Sequence, residues 1–213
     1  MKALVTGFEP FGSDPVNPSL EVVRRLPSRL GKLELATRAL PTAFGRALEV
    51  LEDAVATTDP EIVLCLGLAG GRASLSLERV AINIDDARIS DNDRQQPVDR
   101  PVVVGGPAAY FTSLPIKAAA AALRQAGLPA IVSNTAGTFV CNHVFYGLMH
   151  LAATRRPGMR GGFLHLPYLP QQAARQDGAP SMALDDILRG IEIVLRVAAA
   201  RQDDIVTTEG AIS

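Results

Sequence analysis

Apolar positions along the chain alternate between short continuous runs and stretches spaced three to four residues apart, the signatures of covered strands and of amphipathic helices. Lys2 to Thr6 is the first run, broken by the loop GFEPFGSDPVN. Asn17 then caps a helix whose first position, Pro18, needs no backbone donor. Leu33 to Leu40 is a second strand. Phe44, Leu48, Leu51 and Val55 recur at helical spacing and predict a helix from about Ala43 to Thr57. The segment EIVLCLGLAGG is almost wholly apolar and ends in glycine, as expected for a strand covered on both faces of a parallel sheet.

Leu75 to Asn83 reads as one strand, with Leu75, Leu77, Arg79, Ala81 and Asn83 on one face and Glu78, Val80 and Ile82 on the other. Arg88 to Pro101 is polar and long for an internal connection, which makes it either a mobile lid or an ordinary surface loop. Beyond it the pattern predicts a helix over Ile116 to Gly127, a strand over Ala130 to Asn134 and a helix from Val140 to before Pro157. A last strand, GGFLHLP, precedes a helix over Met182 to Ala200. Strands alternating with helices, too few for an eight-fold barrel, predict an α/β fold: a three-layer α/β/α sandwich around a largely parallel, twisted sheet. The 213 residues suit a single domain, with a polar tail from about Gln202 expected to fray.

Twenty-one basic and 22 acidic side chains nearly cancel, without a basic run of the kind that binds nucleic acid or a membrane surface. The opening MKALVTGF turns polar too soon for a signal peptide, and no stretch reaches the roughly 18 apolar residues of a membrane span. The expected location is the cytoplasm. Two cysteines make no disulfide framework, and two cysteines with three scattered histidines offer no metal-ligand spacing, so neither metal nor cofactor is implied.

In open α/β sheets functional groups gather just beyond the carboxyl ends of strands. Cys141 meets that description: it follows the strand AIVSN and the turn TAGT, then opens a helix, whose free N–H groups favour a thiolate. Cys65, inside IVLCL, is a buried small hydrophobe. A thiol nucleophile needs an imidazole to move protons. His143 lies two residues from Cys141 and points to another helix face; His150 comes late in that helix and reads as solvated; His165 ends an apolar strand and is the preferred partner. For a carboxylate to orient the imidazole, Glu78 is the one acid in its strand-like segment, whereas Asp85, Asp86, Asp91 and Asp93 stand in polar, solvated sequence. Spacing does not choose among them, and a surface ion pair is the bland reading of Glu78.

The segments GFEPFG, NPS, AGGR, ERVAIN, ARISDN, TAGTFVCNH and HLPYLP, in this order, resemble the type I pyroglutamyl peptidase (pyrrolidone-carboxylate peptidase) family over nearly the whole chain. The resemblance implies a cysteine peptidase that releases an N-terminal pyroglutamyl residue from peptides through a thioester, as a cytoplasmic homotetramer. It assigns the nucleophile to Cys141, the base to His165 and the orienting carboxylate to Glu78. Arg88 takes a place at the mouth of the site, with the oxyanion or the substrate carbonyl. Phe8, Phe11, Phe139 and Val140 take pocket positions with Thr42 and Ile89 around them, and Asn17 is a polar group near the substrate. The uncharged lactam offers no ion pair, so aromatic contacts and a few hydrogen bonds must hold it.

Leu68 stands where the family often has Gln, in GLAGGR, which removes a possible side-chain hydrogen bond to the ligand. Two rival readings remain at this level. GLAGGR could cradle an anion in a phosphate- or nucleoside-handling enzyme, although it lacks the order and the Lys of a P-loop. A non-catalytic binder of pyroglutamyl termini would have no use for Cys141, His165 and Glu78 together.

Overall fold

The computed structural model describes residues 1–210. In chain order its elements are β1 (Lys2–Phe8), α1 (Pro18–Arg25), β2 (Arg29–Leu30), β3 (Leu33–Leu40), α2 (Arg46–Thr58), β4 (Ile62–Leu68), β5 (Leu75–Glu78), β6 (Val80–Ile82), β7 (Ala109–Phe111), α3 (Ile116–Gln125), β8 (Ala130–Ser133), α4 (Val140–Thr154), β9 (Arg160–Leu166), α5 (Pro170–Ala173) and α6 (Leu184–Ala200). Seven strands form one sheet in the order β2-β3-β1-β4-β9-β5-β8, and β6 and β7 form a separate antiparallel pair. One apolar cluster lies between the sheet and α1, α3 and α6; a second lies between the opposite face and α2 and α4. The fold is the expected α/β/α sandwich.

Alternation along the central strands decides which side chains meet α4. Leu64, Leu66, Leu164, Leu75 and Leu77 fill the first cluster, and Val63, Cys65 and Phe163 fill the second. By the two-residue period, Gly67, His165 and Glu78 therefore share the face turned to α4.

The sheet is less uniformly parallel than its sequence suggests. β1, β3, β4 and β9 pair in parallel, as do β5 and β8, but β5 runs antiparallel to β9. The single strand expected over Leu75 to Asn83 is broken at Arg79: β5 joins the main sheet, while β6 leaves it to pair with β7. That break explains the imperfect alternation, because Leu77 packs in the first cluster and Ala81 in the second.

The helix expected from Ala43 begins at Arg46, since Gly45 adopts φ 73° and ends the preceding turn. Phe44 and Gly45 give their N–H groups to Asp91 and His143 instead of to the helix. The described part of the tail lies against α3. Asp204 accepts from the N–H groups of Lys117 and Ala118 at the start of α3, and Glu209 pairs with Arg124. Among the described residues no helix is long and apolar enough to cross a membrane.

Candidate active site

The carboxyl ends of β1, β4 and β9 and the first turn of α4 enclose a cavity of about 210 Å³. That is space for one small ring and its carbonyl. Its wall includes Phe8, Phe11, Asn17, Thr42, Leu68, Arg72, Phe139, Val140, Cys141 and His165. Most of the residues singled out from sequence are thus brought together. Arg88 and Ile89 are not: both are exposed and neither lines the cavity.

Cys141 is the second residue of α4, where backbone N–H groups have no intrahelical carbonyl to reach. Its side chain is partly accessible, whereas Cys65 is wholly buried. The sulfur is seated on β4: a Cβ added to Gly67 would lie 2.8 Å from Cys141 Sγ and 2.8 Å from Phe163 Cζ. Gly67 is registered with His165 across the β4–β9 pairing, so the thiol lies beside the imidazole strand. We expect Gly67→Ala to displace the sulfur and to lower kcat about ten- to a hundredfold with little change in KM, since small misplacements of reacting atoms are costly. Steady-state kinetics together with a melting curve check this; wild-type kcat in the variant would show that the seat does not matter.

Two effects compete at this sulfur. Burial, with the nearby Glu78 carboxylate adding to it, pushes the Cys141 thiol up to about 12, and the Arg72 charge offsets only part of this. The opening turn of α4 works against this desolvation, and the thiol needs a neighbour to which its proton can pass.

His165 is that neighbour on the cavity wall. It is 4% exposed, and its Nδ1 lies 2.7 Å from Oε1 of Glu78, which is wholly buried. The carboxylate assigns the proton to Nδ1 and leaves Nε2 as the acceptor. The pair is diagonal across antiparallel strands, because Glu78 is registered with Phe163 and His165 with Ser76. Glu78 is therefore no surface ion pair. Sequence reasoning missed Arg72, which lines the cavity and donates to the same Oε1 at 2.7 Å. The signal was available in the final residue of GLAGGR.

The other imidazoles have partners of their own. His143 is buried, with Nδ1 2.8 Å from Asp85 Oδ2, and its Nε2 accepts from the Gly45 N–H. His150, expected to be solvated, is half-buried, stacked on Tyr146 and bonded to the Tyr110 hydroxyl. Asp85 and Asp91 are also buried rather than solvated: Asp91 accepts from the N–H groups of Phe44, Asp93 and Gln95. The Asp91 carboxylate thus satisfies backbone donors that the irregular loops cannot pair internally, whereas that of Asp85 meets the His143 ring. Segment 88–101 is fastened near the cavity by Asn92, whose N–H reaches Thr42 O and whose side chain donates to Pro10 O.

Asn17 and Thr42 shape the wall. Asn17 caps α1 through Ser19 and donates to Glu9 O, and the Thr42 hydroxyl donates to the same carbonyl. Phe8 is 2% exposed and packs against Phe163, so most of its ring belongs to the core beneath the cavity wall. Phe11 and Phe139 are partly accessible and meet with centroids 6.1 Å apart.

A family model described as pyroglutamyl peptidase matches residues 1–202. The chain belongs to the pyroglutamyl peptidase family. It is 55% identical to pyrrolidone-carboxylate peptidase 1 of Ralstonia nicotianae, over 95% of this chain and 94% of that relative. It is 51% identical to the pyrrolidone-carboxylate peptidase of Brevibacillus brevis over 99% of this chain and 98% of the other. Among solved structures, pyroglutamyl peptidase I of Bacillus amyloliquefaciens superposes with a TM-score of 0.94 at 49% identity, covering 96% of this chain and 99% of that one. A mutant pyrrolidone carboxyl peptidase from Pyrococcus furiosus gives 0.92 at 40% identity, covering 94% and 99%. For a pyroglutamyl peptidase, the departure at Leu68 falls at the site itself, since this side chain ends β4 and lines the cavity.

Proposed function

We propose that the chain hydrolyses the peptide bond following an N-terminal pyroglutamyl residue, with Cys141 as nucleophile, His165 as general base and acid, and Glu78 as the group that orients the imidazole. The observation that carries this reading is the shared cavity wall of Cys141 and His165, backed by the 2.7 Å contact of His165 with Glu78, in a chain of this family. His165 Nε2 takes the thiol proton as the sulfur attacks the pyroglutamyl carbonyl. The developing oxyanion is met by the Cys141 backbone N–H at the opening of α4. Returning the proton to the leaving nitrogen frees the shortened peptide and leaves a thioester, which water, activated by the same imidazole, hydrolyses to pyroglutamate. Arg88, exposed and off the cavity wall, is given no part in these steps.

The partly apolar wall of Phe11, Phe139, Val140 and Leu68 suits an uncharged ring. Acid quenching during turnover of a pyroglutamyl peptide should trap the acyl group on the peptide bearing Cys141, as read by mass spectrometry; an acyl group elsewhere would reassign the nucleophile. From the resemblance we further infer a single-domain, cytoplasmic homotetramer, and sedimentation equilibrium tests the assembly.

Leu68→Gln adds a hydrogen-bonding group to the wall. A single hydrogen bond contributes roughly 0.5 to 1.5 kcal/mol, so KM for pyroglutamyl substrates should fall about two- to tenfold, with kcat little changed and preference over prolyl analogues widened. Steady-state kinetics on both substrates, with a melting curve, checks this. A drop in stability with unchanged selectivity would show that residue 68 does not reach the ligand.

A further inference from the structure

Glu78 poses a problem that Cys141 and His165 do not solve. Its side chain is 0% exposed, Oε1 is shared by His165 Nδ1 and Arg72 Nη1, and Oε2 has no partner among the described residues. The carboxylate is therefore held from one side only, by the donors on Oε1, and one free to rotate could no longer fix the His165 tautomer. The charged and titratable groups that face it are His165 on β9, Arg72 in the turn after β4, and Cys141 at the start of α4. Only Arg72 is a permanent cation.

The geometry gives that cation more than one attachment. Nη1 donates to Glu78 Oε1 at 2.7 Å and reaches Ser133 Oγ at 3.4 Å, while Nη2 donates to Thr135 O at 3.2 Å. Both terminal nitrogens are thereby committed to protein acceptors. Thr135 opens the turn that leads to Phe139 and Cys141. One guanidinium thus joins the turn after β4, the end of β5 and the end of β8.

We propose that Arg72 is a positioning residue that holds the Glu78 carboxylate beneath His165 and ties it to the turn that delivers Cys141. The inference rests on the roles of Cys141, His165 and Glu78 given above. Charge balance supports it. At rest Glu78 and Arg72 cancel beside a neutral thiol and imidazole; after proton transfer a thiolate and an imidazolium are added, and the group is again neutral. Removing Arg72 leaves a net negative charge in both states and frees the carboxylate to turn away from His165 Nδ1. The side chain is 30% exposed, so its own position is not a packing requirement of the core.

The test is a cycle of Arg72→Met, Arg72→Lys, Glu78→Gln and the Arg72→Met/Glu78→Gln double variant, assayed on a pyroglutamyl chromogenic amide across pH. Arg72→Met should lower kcat/KM about a hundredfold, mainly through kcat, and move the acid limb of the profile to higher pH, because the site loses a permanent cation that opposes proton uptake. Arg72→Lys should restore the position of the acid limb and only part of kcat. In the Glu78→Gln background the Arg72→Met step should cost under about threefold, since the charge it compensates is gone. Circular dichroism and a melting curve establish that each variant is folded. An unchanged profile in Arg72→Met, or an equal loss with and without Glu78, would overturn this inference while leaving the catalytic roles standing. Full activity in Glu78→Gln alone would overturn those roles and this inference with them.

Discussion

Cys141→Ser is expected to lower kcat about 10⁴-fold or more, the scale on which nucleophile removal acts in hydrolases, while leaving the fold intact. The serine hydroxyl is a far weaker acid than a thiol, and a site in which even the thiol is pushed up to about 12 has little capacity to ionise it. Serine is nearly isosteric at this partly accessible position, so its melting temperature should stay close to wild type. Cys65→Ser provides the contrast: there a hydroxyl enters a wholly buried apolar cluster, and a loss of about 1–3 kcal/mol in stability with conserved kcat is expected. Substantial turnover by folded Cys141→Ser would show that another group attacks the substrate. Iodoacetamide should also modify Cys141 before Cys65 in the native protein.

His165→Ala is expected to cost about 10³- to 10⁴-fold in kcat, since it removes the acceptor for the thiol proton and the donor to the leaving nitrogen. It also leaves Glu78 with Arg72 alone, so some stability is lost with it. His143→Ala should behave in the opposite way. That imidazole bridges Asp85 and the Gly45 N–H, and deleting it leaves a buried carboxylate short of a partner, which costs about 3 kcal/mol. Its kcat should remain within a few-fold at temperatures where the variant is folded, with any change showing in KM through Phe44, which packs edge-on against Phe139. Kinetics and unfolding on the two variants distinguish the roles. Inactivity of folded His143→Ala beside active His165→Ala would reverse the assignment.

The strands and helices that carry the site were legible because strong periodicity marks them. Leu33–Leu40 forms as read, Asn17 caps α1, and α4 opens at Val140. What the sequence concealed depends on tertiary pairing. Nothing local in LSLERVAIN shows that the chain leaves the main sheet at Arg79, or that β5 runs against β9, so the diagonal meeting of Glu78 with His165 was reached only through the family resemblance. Asp85 and Asp91 were misjudged for a related reason: their neighbours are polar, but their partners are a histidine 58 residues away and a backbone N–H 47 residues away. Arg72 escaped notice because a guanidinium beside glycines looks like a loop charge until the carboxylate it meets is known.

The central claim is that this cavity selects a pyroglutamyl ring and cleaves the bond after it. Hydrolysis of pyroglutamyl, prolyl and glutaminyl chromogenic amides under identical conditions tests it most directly. Turnover of the pyroglutamyl amide is expected, lost in Cys141→Ser, with kcat/KM at least about a hundredfold lower for the prolyl amide, which lacks the ring carbonyl, and for the glutaminyl amide, which carries an ammonium group into a partly apolar pocket. Equal cleavage of all three, or none of the pyroglutamyl amide by folded wild-type protein, would contradict it.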